Sequence, residues 1–338
     1  MTLDMNVGVI GGGSWGTTIA HLLSHNPRTR VRMWMRNEEA ANAINTTHTN
    51  PKYTGDMVLA DNISATTDLE EMIQSCPCIF VVVTSGSARK VLHEVGKYVN
   101  GSQILVHCIK GFEHTTFKRI STIVQEETCC RKIGVLSGPN LAKEILQNHP
   151  SATVVASPFE EVVSLAQQLM TSTYFRVYGH SDVVGAEVAG ALKNIIALAS
   201  GMSGGLGFKQ NTQSLLLTRG LVEITRFGLK MGAQSATFRG LAGMGDLIAT
   251  CSSELSRNYQ VGQRIARGET LQDILDTMSY VSEGVPTTRS VYTMSRNMNI
   301  EMPITEGIYH ILEGNISPRE AIVRLMERDQ KYEEAFVG

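Results

Sequence analysis

The chain has 338 residues, of which 42% are hydrophobic and 18% charged. That is enough for about two domains and a large buried core, which excludes a disordered protein and a small disulfide-stapled scaffold. Thirty Lys and Arg stand against 32 Asp and Glu for a net charge of −2, so the chain as a whole carries no electrostatic footprint for nucleic acid or an anionic membrane.

The apolar run at 7–10 has no basic region before it, unlike a secretory signal, and is too short to cross a bilayer. No later stretch approaches the ~18 charge-free apolar residues of a membrane span. Cys76, Cys78, Cys108, Cys129, Cys130 and Cys251 fit no zinc spacing and are expected as free thiols in a reducing cytoplasm. The nine histidines are scattered, so no metal site is expected.

In chain order, 5–10, 30–35, 79–83, 103–107, 133–136 and 152–156 read as strands, apolar with little alternation, as in a sheet covered on both faces. A last strand is expected at 173–178. Helical stretches at 14–25, 69–75, 87–98 and 159–170 lie between them. This alternation predicts an α/β fold with a Rossmann-like, doubly wound parallel sheet over 1–180. Beyond it, 182–200, 212–231, 259–268, 271–278, 285–297, 305–313 and 318–327 read as helices. The region 181–338 is therefore expected to be an all-helical substrate and catalytic domain.

Gly11-Gly12-Gly13-Ser14-Trp15-Gly16 fits G-x-G-x-x-G and lies between the first strand and the first helix, the context a dinucleotide loop requires. Gly11 permits the tight turn, Gly13 lets backbone approach a pyrophosphate, and Gly16 lets the helix pack close to the sheet. No acid occurs from Val31 to Asn37, where an NAD site places one on the ribose. Arg36 stands there instead, either as a partner for a 2′-phosphate, which favours NADPH over NADH, or as a solvated surface side chain.

Lys193 is the only cation in a long run of small and apolar residues. Either it is buried, with a lowered pKa that makes it an acid/base, or it snorkels to water. Asn194 adjoins it. Asp246 stands alone in a glycine-rich apolar stretch, as a buried partner for Lys193 or as a helix cap. Ser256-Arg257-Asn258 opens an amphipathic helix, as a phosphate site or as ordinary capping. Lys110-Gly111 and Gly138-Pro139-Asn140 follow strands at the carboxyl edge of the sheet, where open α/β folds bind ligands.

The order and spacing of Gly11–Gly16, Lys110-Gly111, Gly138–Glu144, Lys193-Asn194, Leu241–Cys251, Ser256–Asn258 and Val281-Ser282-Glu283-Gly284 resemble the NAD(P)-dependent sn-glycerol-3-phosphate dehydrogenases of bacterial type. The resemblance runs from Val7 to about Leu325, nearly the whole chain. It implies a cytoplasmic homodimer that interconverts dihydroxyacetone phosphate and sn-glycerol 3-phosphate with NADH or NADPH, feeding phospholipid synthesis. It implies Lys193 as general acid/base supported by Asp246, and Ser256, Arg257 and Asn258 on the substrate phosphate. Lys110, Gly138, Asn194 and Thr250 are implied on the substrate side. Ser14, Trp15, Arg36, Lys110, Ala142, Arg257, Val281 and Glu283 are implied at the dinucleotide. Three departures stand out: Asn140 where the family often has Ser or Thr, no proline before Ser85, and Lys209-Gln210 where an acid is common. Two rival readings are a hydroxyacid or ketopantoate-type reductase and a nucleotide sensor without catalysis.

Overall fold

The computed structural model describes residues 5–278, 282–329 and 332. The chain divides into two compact units, Met1–Ile109 with Lys118–Val183, and Lys110–Phe117 with Val184–Gly338.

Among the described residues the first unit is built on eight strands. These are β1 (Met5–Ile10), β2 (Thr29–Trp34), β3 (Ile63–Thr66), β4 (Cys78–Val81), β5 (Ile104–His107), β6 (Ile133–Ser137), β7 (Ser151–Ala156) and β8 (Phe175–His180), in the order β3-β2-β1-β4-β5-β6-β7-β8. The first six follow the 3-2-1-4-5-6 order of a doubly wound dinucleotide-binding sheet, with its switch point between β1 and β4. Among the described residues eight α-helices accompany them: α1 (Ser14–Ser24), α2 (Glu38–Thr47), α3 (Pro51–Thr54), α4 (Leu69–Ser75), α5 (Ala88–Gly96), α6 (Ile120–Glu127), α7 (Ala142–Leu146) and α8 (Glu160–Met170). Alternate residues of the central strands feed two cores. Val7, Val9, Phe80 and Val106 belong to one, and Ile10, Ile79, Val81 and Leu105 to the other. A strand's side-chain period of two requires this when both faces are covered.

Three expectations need correction. The sheet is not wholly parallel, because β6 and β7 pair antiparallel. The 13 residues between them, 138–150, hold only one short helix, α7, of five residues, and about 7 Å of helix does not run the length of the sheet as a parallel crossover helix does. The strand β3 and the helices α2, α3, α6 and α7 carried too weak a period to be read. Full coverage of both faces holds for β4, β5 and β6, but β2 and β8 alternate buried and open positions (Arg30 and Arg176 exposed).

The second unit is helical. It contains α9 (Val183–Gly205), α10 (Gln210–Lys230), α11 (Ser235–Arg239), a π-helical turn at Leu241–Gly245, α12 (Asp246–Cys251), α13 (Arg257–Ala266), α14 (Leu271–Thr277), α15 (Gly284–Asn297), α16 (Pro303–Leu312) and α17 (Pro318–Met326). Ser317 and Glu320 form a reciprocal capping box that starts α17. The centre is α9, whose residues from Gly185 to Ser203 are all buried. Its length and apolarity alone would allow a membrane span, but it is the core helix of this unit. Leu192, Ile195, Ile196 and Leu198 on α9 share one core with Phe227, Val261, Val291 and Ile308. A large apolar side chain buried this fully contributes about 1.5–3 kcal/mol.

Candidate active site

The glycine loop of the first unit is fixed by close backbone approach. Gly11 follows β1 with φ +126°, and a Cβ on it would lie 2.1 Å from the Val82 carbonyl oxygen. A Cβ on Gly16, in the first turn of α1, would lie 1.9 Å from the Gly11 oxygen. Neither position has room for a side chain. Asn50, buried and unnoticed in the sequence, pins the loop from below. Its Nδ2 donates to the Gly12 oxygen at 3.0 Å and to Thr17 Oγ1 at 2.8 Å. Its only sequence signal is an amide before a proline.

Gly13 is different, since a Cβ there would meet nothing within 4 Å. It is the N-cap of α1, which has no side-chain cap and no acid in its first turn. The first N–H groups of α1 therefore lack a side-chain acceptor and carry the positive end of the helix dipole. Ser14 and Trp15 begin that turn, and the buried Trp15 Nε1 has no hydrogen-bond partner among the described residues. Space, backbone donors and an orphaned N–H fit a dinucleotide pyrophosphate at this loop. Arg36 follows β2 and is exposed. Gly138, with φ +143°, and Ala142, the first residue of α7, follow β6. Asn140 Nδ2 donates to Thr153 Oγ1 at 2.9 Å, which keeps that side chain on its own strand pair.

In the second unit the titratable groups converge. Lys193 does not snorkel, because Nζ donates to Asp246 Oδ1 and, at 2.6 Å, to Thr250 Oγ1. Asp246 is 1% exposed and does not cap a helix. The π turn before it runs straight into α12, so Asp246 and Thr250, one α-helical turn apart, face Lys193 together. The other carboxylate oxygen is taken by Lys110, whose Nζ lies 2.7 Å from Oδ2. One buried carboxylate thus holds two ammonium groups. Burial pulls the Lys193 pKa down to about 8; Asp246 opposes this and Lys110 adds to it.

Beside this triad, α13 crosses α9 through glycines. A Cβ on Gly201 would lie 2.0 Å from the Tyr259 oxygen, and one on Gly262 would lie 2.0 Å from the Leu198 oxygen. The approach brings Asn258 to Asn194, with Nδ2 donating to Asn194 Oδ1 at 2.9 Å. Ser256 is the N-cap of α13 and accepts the Tyr259 N–H at 3.4 Å. Arg257, the first residue of that helix, is exposed. Glu283 is the N-cap of α15. Val281 lies outside the described residues. The structure thus forms two bonded groups, Lys110, Lys193, Asp246 and Thr250 in one and Asn194 and Asn258 in the other, which meet in the chain at the adjacent residues Lys193 and Asn194 of α9. Gly11, Gly13, Ser14, Trp15 and Gly16 form the loop in the first unit. The role of Asn50 was not legible in the sequence.

Comparison with known proteins follows the same division. Residues 6–163 match the family model for the NAD-dependent glycerol-3-phosphate dehydrogenase N-terminus, and 182–323 match that for its C-terminus. The chain is 42% identical over 332 residues to the glycerol-3-phosphate dehydrogenase (NAD(P)+) of Macrococcus caseolyticus, covering 97% of this chain and 100% of that one. It is 44% identical over 331 residues to the enzyme of that name from an Exiguobacterium species, covering 97% of each. Among solved structures, a glycerol-3-phosphate dehydrogenase from Coxiella burnetii superposes with TM-score 0.91 at 29% identity, over 96% of this chain and 99% of that one. A ketopantoate reductase from Ralstonia eutropha reaches TM-score 0.59 at 13% identity, covering 94% of this chain and 100% of that one, a likeness of fold alone.

Proposed function

The chain belongs to the NAD-dependent glycerol-3-phosphate dehydrogenase family, and from that premise we propose that it interconverts dihydroxyacetone phosphate and sn-glycerol 3-phosphate, with Lys193 as the proton carrier. The observation that carries this reading is the buried Lys193 amine held by Asp246 and Thr250, with a pKa lowered to about 8. Near neutral pH such an amine is protonated in most molecules and yields its proton readily, as a general acid must.

A bound NADH or NADPH supplies the hydride. Lys193 donates its proton to the ketone oxygen and steadies the negative charge that develops there. In the reverse direction neutral Lys193 takes the hydroxyl proton. Asp246 and Thr250 hold Nζ in place through both steps. Arg257 and the first turn of α13 offer a guanidinium and backbone donors to the substrate phosphate. Anchoring by that remote group is expected to raise turnover as well as affinity. Arg36 favours NADPH. We further propose a cytoplasmic homodimer that supplies glycerol 3-phosphate for phospholipid synthesis.

The test is NADPH oxidation with dihydroxyacetone phosphate, with NADH and unphosphorylated dihydroxyacetone run beside it. Rapid oxidation that needs the phosphate ester supports the reading. Equal turnover without phosphate, or turnover only with a 2-keto acid, overturns it.

A further inference from the structure

Asn258 has a side chain whose orientation is decided by a backbone group. The Gly284 N–H can only donate, and it lies 2.9 Å from Asn258 Oδ1, so that atom is the carbonyl oxygen. Ser282 Oγ, 2.6 Å from the same oxygen, must then donate its proton to it. The Asn258 NH2 therefore faces Asn194, and the Asn194 atom that meets it, at 2.9 Å, must be Oδ1. The Asn194 NH2 is left as the outer end of the chain, next in sequence to Lys193. Each step follows from the one before, so a donor at 282–284 sets the polarity of a side chain on α9. Ser282, Asn258 and Asn194 are 3%, 7% and 5% exposed. In so dry a setting a reversed amide would place like atoms face to face and leave buried donors unpaired.

The geometry admits no substitute at Gly284. A Cβ there would lie 2.8 Å from Asn258 Oδ1 and 2.8 Å from the Asn194 backbone oxygen. The Ser282 hydroxyl is thus a side-chain input to the relay, and the proton carrier Lys193, held by Asp246, does not require it.

We propose that Ser282 is a positioning residue for the substrate. Together with the Gly284 N–H, it fixes Asn258 and Asn194 so that both turn N–H groups, not oxygens, toward an anionic phosphate ester. One Asn258 N–H is spent on Asn194, and the second remains for the ligand. The inference rests on the reading that Asn194 and Asn258 face the substrate.

The test is a double-mutant cycle on the intact enzyme. Ser282→Ala is expected to raise KM for dihydroxyacetone phosphate about fivefold, as one lost hydrogen bond of ordinary strength would. It should change kcat by less than about twofold and leave the Kd for NADPH as it was. Ser282→Thr, which keeps the hydroxyl, restores KM. In an Asn258→Ala background Ser282→Ala has no further effect, because the two act through one contact. An unchanged KM overturns the proposal. So does a KM effect that persists undiminished beside Asn258→Ala, or one that comes with an equal loss of NADPH affinity, since either marks plain packing. Arg257→Ala is measured in parallel. If it too leaves KM unchanged, the phosphate-site reading fails as well; a raised KM for Arg257→Ala beside an unchanged one for Ser282→Ala sinks the Ser282 relay alone.

Discussion

Lys110 and Lys193 grip opposite oxygens of a single buried carboxylate, Lys110 on Oδ2 at 2.7 Å and Lys193 on Oδ1 of Asp246. Two positive charges on one negative charge leave Lys193 less stabilised as an ammonium than a private ion pair would. Burial is the larger cause and the shared carboxylate adds to it, so that the pKa falls to about 8. The arrangement separates holding the amine in place from holding its proton tightly.

Lys110→Met removes the competing charge and frees the whole carboxylate for Lys193. The Lys193 pKa should then rise, by about one unit for a close like charge removed. For reduction, which needs the protonated amine, log(kcat/KM) in the parent enzyme falls as pH rises through about 8. In the variant that descending limb moves to higher pH. For oxidation, which needs the neutral amine, the ascending limb moves up as well. Limbs that stay in place would show that Lys110 does not tune Lys193.

The glycine loop separates folding from binding. Gly16→Ala puts a Cβ 1.9 Å from the Gly11 oxygen, and is expected to lower Tm markedly. Gly13→Ala meets nothing within 4 Å, so Tm should hold within a few degrees. The new methyl fills the space a pyrophosphate needs, and the Kd for NADPH should rise at least about tenfold. Calorimetry with a fluorescence titration checks both. A Gly13→Ala protein that binds NADPH normally would remove the loop from the cofactor site.

These two sites were not equally legible. The loop announced itself because three glycines between a β-branched run and a helix have few other uses. Lys193 stood out as a lone cation on an apolar helix, and Asp246 as a lone acid among glycines. That Lys110 shares Asp246 could not be read, because 136 residues separate them and no periodicity links a sheet-edge loop to α12. The Asn258 relay was hidden for a related reason, since Ser-Arg-Asn at a helix start also reads as capping, and Ser256 does cap α13. In the fold, β3 is four residues with two small polar side chains, too short and too polar to carry a strand pattern. The antiparallel β6–β7 pair turned on the length of α7, a boundary that local sequence marks poorly.

Glu223 on α10 gives a stability signature apart from the chemistry. It is fully buried and accepts the Ile304 N–H at 2.7 Å and the Thr305 N–H at 3.3 Å, at the start of α16. Burial raises its pKa from 4.5 to about 8, against the pull of those N–H groups. A carboxyl with a raised folded-state pKa binds its proton more tightly folded than unfolded. Its contribution is therefore complete below about pH 4.5 and is lost as pH rises through about 8. Glu223→Gln keeps an acceptor and abolishes the titration. The Tm of the variant minus that of the parent should climb steadily from pH 5 to pH 8.5. A difference that stays flat across that range would place the Glu223 pKa near its ordinary value.

The most direct measurement compares turnover and cofactor binding in Lys193→Ala. Loss of a general acid that also steadies the developing charge is expected to lower kcat for dihydroxyacetone phosphate reduction by about a thousandfold or more. The Kd for NADPH should stay within about twofold of the parent, because no part of the glycine loop has changed. A variant that binds NADPH normally and still turns over within about tenfold of the parent would contradict the assignment of the proton to Lys193.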